Sequence, residues 1–205
     1  MLYTCFLFDL DNTLVDTEPI NRSALEQCGC PKVDDLTSSD LRSFSPNELL
    51  KRAGHASATD RYWRCYGRLV RTESRLFDPK TPAVLAELQK RGARIGLVTS
   101  SPKSITEVML SACGVADQFA SCMVTYGTCR RRKPFPDPIL AALKMLRHPP
   151  SGSIYIGDAQ KDAQASRAAG THFGFAAWSR TPKQEASALR PNQVFVSMSD
   201  ILVYT

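Results

Sequence analysis

The feature that most constrains this chain is a rhythm. Six short apolar runs, Tyr3–Phe8, Ala93–Val98, Cys122–Val124, Ile154–Ile156, Phe173–Ala177 and Val194–Val196, are separated by segments with helical spacing. Runs of this length suit buried strands better than helices. Thr81-Pro82, Ser101-Pro102 and Asp137-Pro138 each open a helical segment with proline in the first turn, where its missing N–H has no partner to lose. Gly114 and Gly170 mark the ends of two of these segments. Strand alternating with helix predicts an α/β fold built on a doubly wound parallel sheet.

Residues 17–78 interrupt the rhythm and contain no convincing strand. Ser45-Pro46-Asn47-Glu48 has the form of a capping box and predicts a helix toward Ala53; a longer helix is predicted over residues 59–76. The expected organisation is an α-helical cap of residues 17–78 inserted after the first strand of a core made from residues 1–16 and 79–205. A chain of 205 residues has room for one domain with such an insertion and not for two large ones. With 43% hydrophobic and 22% charged residues, global disorder is excluded. No apolar run approaches the roughly 18 residues that a membrane span requires.

The net charge of +6 is unevenly spread. Residues 1–58 hold five basic and nine acidic side chains, whereas residues 78–205 hold sixteen and nine. Between them Arg61, Arg64, Arg68, Arg71 and Arg75 recur at steps of three and four, which places them on one stripe of a helix roughly 80° wide. A solvated helix face explains such a stripe; an anion-facing surface is the sharper alternative. The seven cysteines form no paired CxxC blocks and mostly lie in apolar stretches, as free buried thiols do. No basic segment precedes the first apolar run, so the N-terminus does not read as a signal peptide. A reduced, cytoplasmic setting is expected. His55, His148 and His172 lack metal-ligand spacing and read as structural.

Carboxylates stand where a parallel sheet exposes its strand ends. Asp9 and Asp11 follow the first strand, and strand-like geometry is expected to point both the same way. Asp158 and Asp162 follow the strand at 154–156. Ligands bind such sheets at the C-terminal strand ends, so folding should gather these acids at one edge. An all-oxygen cluster of like charges needs a cation and favours Mg²⁺. Thr99, Ser100 and Ser101 offer hydroxyls and backbone N–H groups at a helix start, an anion site. Lys133 stands beside Pro134, Pro136 and Pro138, which fix its backbone. Together these residues predict a metal-assisted phosphoryl-transfer site.

The motif set resembles the haloacid dehalogenase-like hydrolase superfamily, in the branch with a helical cap after the first strand that includes phosphoglycolate phosphatases and β-phosphoglucomutase. The first motif is Asp9-Leu10-Asp11-Asn12-Thr13, the second Thr99, the third Lys133, and the fourth Gly157-Asp158 with Asp162. The resemblance implies a Rossmann-like core and a Mg²⁺-dependent phosphatase acting through an aspartyl-phosphate. It implies Asp9 as nucleophile and Asp11 as acid and base. Thr99 and the backbone of Ser100 would bind a phosphoryl oxygen, and Lys133 would offset developing charge. Asp9, Asp11 (through its carbonyl) and Asp158 would hold the metal, with Asp162 ligating directly or through water.

Other readings stay open at this point. A β-phosphoglucomutase-like phosphotransferase shares the core residues. A dehalogenase resembles this branch but dispenses with Mg²⁺ and with an acid like Asp11. A phosphonatase-like enzyme needs a cap lysine, for which Lys51 qualifies by position only. Arg130, Arg131 and Arg132 form either a solvated loop or a contact to a second anionic group on the substrate. The expected partner is a small phosphorylated substrate rather than a nucleic acid or a membrane, although a phosphatase for a polyanionic substrate is a further alternative. A monomer is favoured over an oligomer.

Overall fold

The computed structural model describes residues 2–181 and 183–205. Six strands, β1 (Cys5–Phe8), β2 (Arg94–Pro102), β3 (Met123–Tyr126), β4 (Ser153–Gly157), β5 (His172–Ala176) and β6 (Gln193–Phe195), pair in parallel throughout. Their order across the sheet is β3-β2-β1-β4-β5-β6. This is the α/β fold expected from the rhythm, and all six apolar runs are strands. Phe6 and Phe8 join one hydrophobic cluster while Cys5 and Leu7 join another. Both faces of β1 are therefore covered, which is why its sequence is continuously apolar rather than alternating.

Between β1 and β2 the chain forms α1 (Glu18–Gln27), α2 (Ser38–Ser43), α3 (Pro46–Arg52), α4 (Thr59–Glu73) and α5 (Thr81–Lys90). Four of these, α1 to α4, fall in the segment that breaks the rhythm, and no strand is found there among the described residues. The entry and exit of this segment are zipped together. Val15 bridges Leu76, and backbone bonds run from Asp16 N to the Arg75 carbonyl (3.0 Å) and from Phe77 N to the Leu14 carbonyl (3.0 Å). α3 begins at Pro46 as the sequence predicts, with Ser45 accepting from the Glu48 N–H, but the Glu48 side chain accepts from Arg52 and only this half of the expected capping box is formed. α2 carries a complete capping box between Thr37 and Asp40.

On α4, Tyr62, Cys65, Tyr66, Leu69 and Val70 are buried, and the five arginines of the stripe are exposed. Arg68 donates to Gln27; α4 ends at Glu73, short of the expected residue 76, so Arg75 lies past it and folds back onto the carbonyls of Thr72 and Ser74. After β2 come α6 (Lys103–Ala112), α7 (Asp137–Met145), α8 (Gln160–Ala169) and α9 (Lys183–Ala188), with short 3₁₀ turns at Asp117–Phe119 and Met198–Tyr204. No helix among the described residues is long and apolar enough to cross a membrane.

Candidate active site

The strand order reverses between β1 and β4, and the crevice of a doubly wound sheet opens at such a point. Phe8 pairs in register with Ile156, so Asp9 emerges opposite Gly157 and Asp158 follows one residue further along the adjacent strand. Asp162 arrives on the first turn of α8. Asp9, Asp158 and Asp162 each bring a carboxylate oxygen within 4.8 Å of the others, and all three are buried.

One cation lies among them. Lys133 Nζ donates to Asp9 Oδ1 at 2.6 Å, to Asp162 Oδ1 at 2.7 Å and to the Tyr155 hydroxyl at 2.8 Å. Its side chain is 1% exposed. Burial opposes the charge on Lys133, but Asp162 and Asp9 outweigh it and hold its pKa above the ordinary value. Burial pushes the Asp9 carboxyl up to about 7 in spite of Lys133. It pushes Asp158 up to about 6, with Asp162 adding to the rise. Three carboxylates against one ammonium leave a buried excess of negative charge, and a divalent cation is what such a donor set fits.

The ligand atoms are not equally free. Asp162 accepts from Lys133 on Oδ1 and from the Ala159 N–H on Oδ2 (3.1 Å). Asp158 is steadied by Thr13 on Oδ1 (3.2 Å) and Thr181 on Oδ2 (3.1 Å). Gly157 permits this arrangement, because a Cβ there would lie 2.7 Å from Cβ and Cγ of Asp162.

Asp11 differs from the expectation that it points with Asp9. β1 ends at Phe8, and Asn12 takes a left-handed conformation (φ 60°), so strand geometry does not continue through the loop. The Asp11 carboxylate lies outside the buried trio. It accepts instead from Thr99 Oγ1 at 3.0 Å and from Ser101 Oγ at 2.7 Å. Thr99 in turn accepts from the Ser101 N–H at 3.0 Å.

Ser100 lines a small recess with Thr99, Lys133, Arg131 and Arg132. Within the arginine run, Arg131 forms a two-point ion pair with Asp137, at 3.0 Å for both contacts, and Arg132 lies over the Tyr126 ring. Arg130 is exposed. Residues 178–181 close over the first motif: Trp178 donates to the Thr13 carbonyl, and Arg180 grips Asp16 through Nε and Nη2. Sequence reasoning passed over Tyr155, Ser101 as a partner of Asp11, and Thr181. The Ser-Ser pair after Thr99 was the one signal pointing to any of them.

The fold and this cluster define a class: an α/β enzyme whose acidic, lysine-bearing site lies at the strand ends of a parallel sheet. Residues 6–176 match the family model for haloacid dehalogenase-like hydrolases. The chain belongs to that family and is an enzyme of its phosphatase group. Among curated relatives, pyrophosphatase PpaX from Bacillus velezensis is 30% identical over 220 residues, covering 98% of this chain and 96% of the relative. Phosphoglycolate phosphatase from Yersinia pseudotuberculosis is 30% identical over 178 residues, covering 80% of this chain and 76% of the relative. A crystal structure from Lactobacillus plantarum, provisionally labelled phosphoglycolate phosphatase, superposes with a TM-score of 0.81 at 24% identity over the whole of both chains.

Proposed function

We propose that the chain is a Mg²⁺-dependent phosphatase that hydrolyses a small phosphate monoester or pyrophosphate through an aspartyl-phosphate, with residues 17–78 as a cap over the core. The observation that carries this reading is the buried meeting of Asp9, Asp158, Asp162 and Lys133, with Asp11 held alongside by Thr99 and Ser101.

Asp9 Oδ attacks phosphorus as the bond to the leaving oxygen breaks, and Asp11 gives that oxygen its proton. Water then attacks the phosphorus of the aspartyl-phosphate while Asp11 takes the proton back, releasing phosphate and Asp9. Lys133, locked by Asp9 and Asp162, holds a fixed positive charge where negative charge develops. Thr99 and the Ser100 backbone receive a phosphoryl oxygen. Asp9, Asp158 and the Asp11 carbonyl would hold Mg²⁺, with Asp162 ligating it directly or through water while it also orients Lys133. Bound Mg²⁺ supplies Lewis-acid polarisation of the transferring phosphoryl group.

A cleft of about 210 Å³ lies beside Asp158. The names of the relatives make pyrophosphate and phosphoglycolate the first substrates to test. The test is a Mg²⁺-dependent phosphate-release screen over these two, sugar phosphates, nucleotides and phosphorylated oligonucleotides. Turnover of a small ester that is absent in Asp9→Asn supports the reading. Isomerised sugar phosphate without free phosphate would replace it with a mutase.

A further inference from the structure

The cap sends one charged side chain to the cleft beside Asp158. The cleft is lined by Asp158, Ala159, Gln160, Thr181, Ala188 and Leu189 from the core side and by Arg42 of α2. Arg42 is no surface arginine: its side chain is 7% exposed, unlike the exposed arginines of the stripe. Nη1 donates to Glu18 Oε2 at 3.1 Å, and the other Glu18 oxygen accepts from Ser38 Oγ at 2.7 Å.

Glu18 opens α1, directly beyond the segment that joins β1 to the cap, so the pair lies at the cap's base. A guanidinium has five N–H donors, and one bond to Glu18 leaves others for a ligand. A carboxylate fixed at both oxygens is what orients such a group. A buried ion pair is a poor stabiliser compared with apolar packing, so its presence at a cleft wall calls for another role.

We infer that Arg42 is a specificity-determining residue that binds a second anionic group on the substrate, a phosphate or carboxylate adjacent to the scissile phosphoryl group. Glu18 is its positioning residue. This rests on the phosphatase reading above and narrows its substrate class to esters or anhydrides with two anionic groups. It also relocates that contact. The basic run at residues 130–132 is partly engaged by Asp137 and the Tyr126 ring, whereas Arg42 lines the same cleft as Asp158.

The test uses the double variant Glu18→Gln, Arg42→Gln, which removes both charges and strands neither, together with Arg42→Lys. Steady-state kinetics with Mg²⁺ compare pyrophosphate and phosphoglycolate with p-nitrophenyl phosphate, which carries no second anionic group. The double variant should lose about 10- to 100-fold more kcat/KM on the two-anion substrates than on p-nitrophenyl phosphate, chiefly through KM. Arg42→Lys should recover part of it, because lysine keeps the charge without the planar fork. Equal losses on all three substrates, or none, would overturn the inference and leave Arg42 a packing residue.

Calorimetric binding to the wild-type chain separates this from a failure of the phosphatase reading. Imidodiphosphate, which resists hydrolysis, should bind at least about tenfold tighter than orthophosphate, and the double variant should abolish the difference. If the wild type turns over none of the esters yet shows this preference, the catalytic reading falls and the Arg42 site stands. If imidodiphosphate binds no tighter than orthophosphate, the Arg42 site falls whatever the kinetics show.

Discussion

Lys133 keeps its proton in a buried site because two carboxylates and a tyrosine hydroxyl surround it. Replacing it with methionine leaves Asp9 and Asp162 without their cation. Unfolding of the metal-free Lys133→Met chain should therefore show a loss of about 3–5 kcal/mol. Tyr155→Phe is gentler. It removes one hydroxyl that accepts from Lys133 and sits 3.0 Å from the Val98 carbonyl, and it should cost about 1 kcal/mol while lowering kcat. Asp9 and Asp158 titrate on folding in the same direction. Both carboxyls are raised from 3.8, to about 7 and about 6, so in that window the folded chain holds more protons than the unfolded one. The stability of the metal-free chain should consequently fall as pH rises through the window, and the gain from added Mg²⁺ should grow across it. Melting curves with chelator and with Mg²⁺, at about pH 5 and about pH 7.5, check both signs. A flat chelator curve would contradict the burial of these acids. Asp9, Lys133, Asp158 and Asp162 were legible because each follows a strand end in a recognisable context. Tyr155 was not, since a tyrosine inside an apolar run looks like core until folding sets Lys133 against its hydroxyl.

At the scale of elements, the strands and the helices opened by Pro82 and Pro138 were readable from local chemistry, whereas β2 runs on through Pro102 and α6 begins at Lys103. α2 was not readable, although its capping box is explicit in retrospect. At six residues it is too short to display helical periodicity, and Thr37 and Asp40 are ordinary polar residues until their hydrogen bonds exist. α2 also carries Arg42, the proposed anion contact. Thr37→Ala should cost about 1 kcal/mol and should raise hydrogen exchange in α2 before the sheet is affected. The stripe on α4 is the opposite case, conspicuous in sequence and exposed in the structure. Arg64→Ala or Arg71→Ala should change stability by less than about 0.5 kcal/mol, measured by denaturant unfolding. A larger loss would show that the stripe packs against something in solution.

For the whole molecule, sheet order does the assembling. β1 and β4 are far apart in sequence, yet their pairing sets Asp9 beside Asp158, and the loop between β3 and α7 brings Lys133 to the same edge. The alternation of elements predicts such an edge, but which side chains occupy one another's hydrogen bonds depends on distances no single segment encodes. The separation of Asp11 from the buried trio is an instance: the loop after β1 turns at Asn12 and delivers Asp11 to Thr99 and Ser101. The central claim is that Asp9 is the nucleophile of a phosphatase site that the metal completes. It is tested most directly by assaying Asp9→Asn against wild type with Mg²⁺ on pyrophosphate, phosphoglycolate and p-nitrophenyl phosphate, with melting curves to confirm folding. The account predicts a folded variant whose turnover falls at least about 10³-fold on every substrate the wild type accepts. A folded Asp9→Asn protein that retains wild-type turnover on any of them would contradict it.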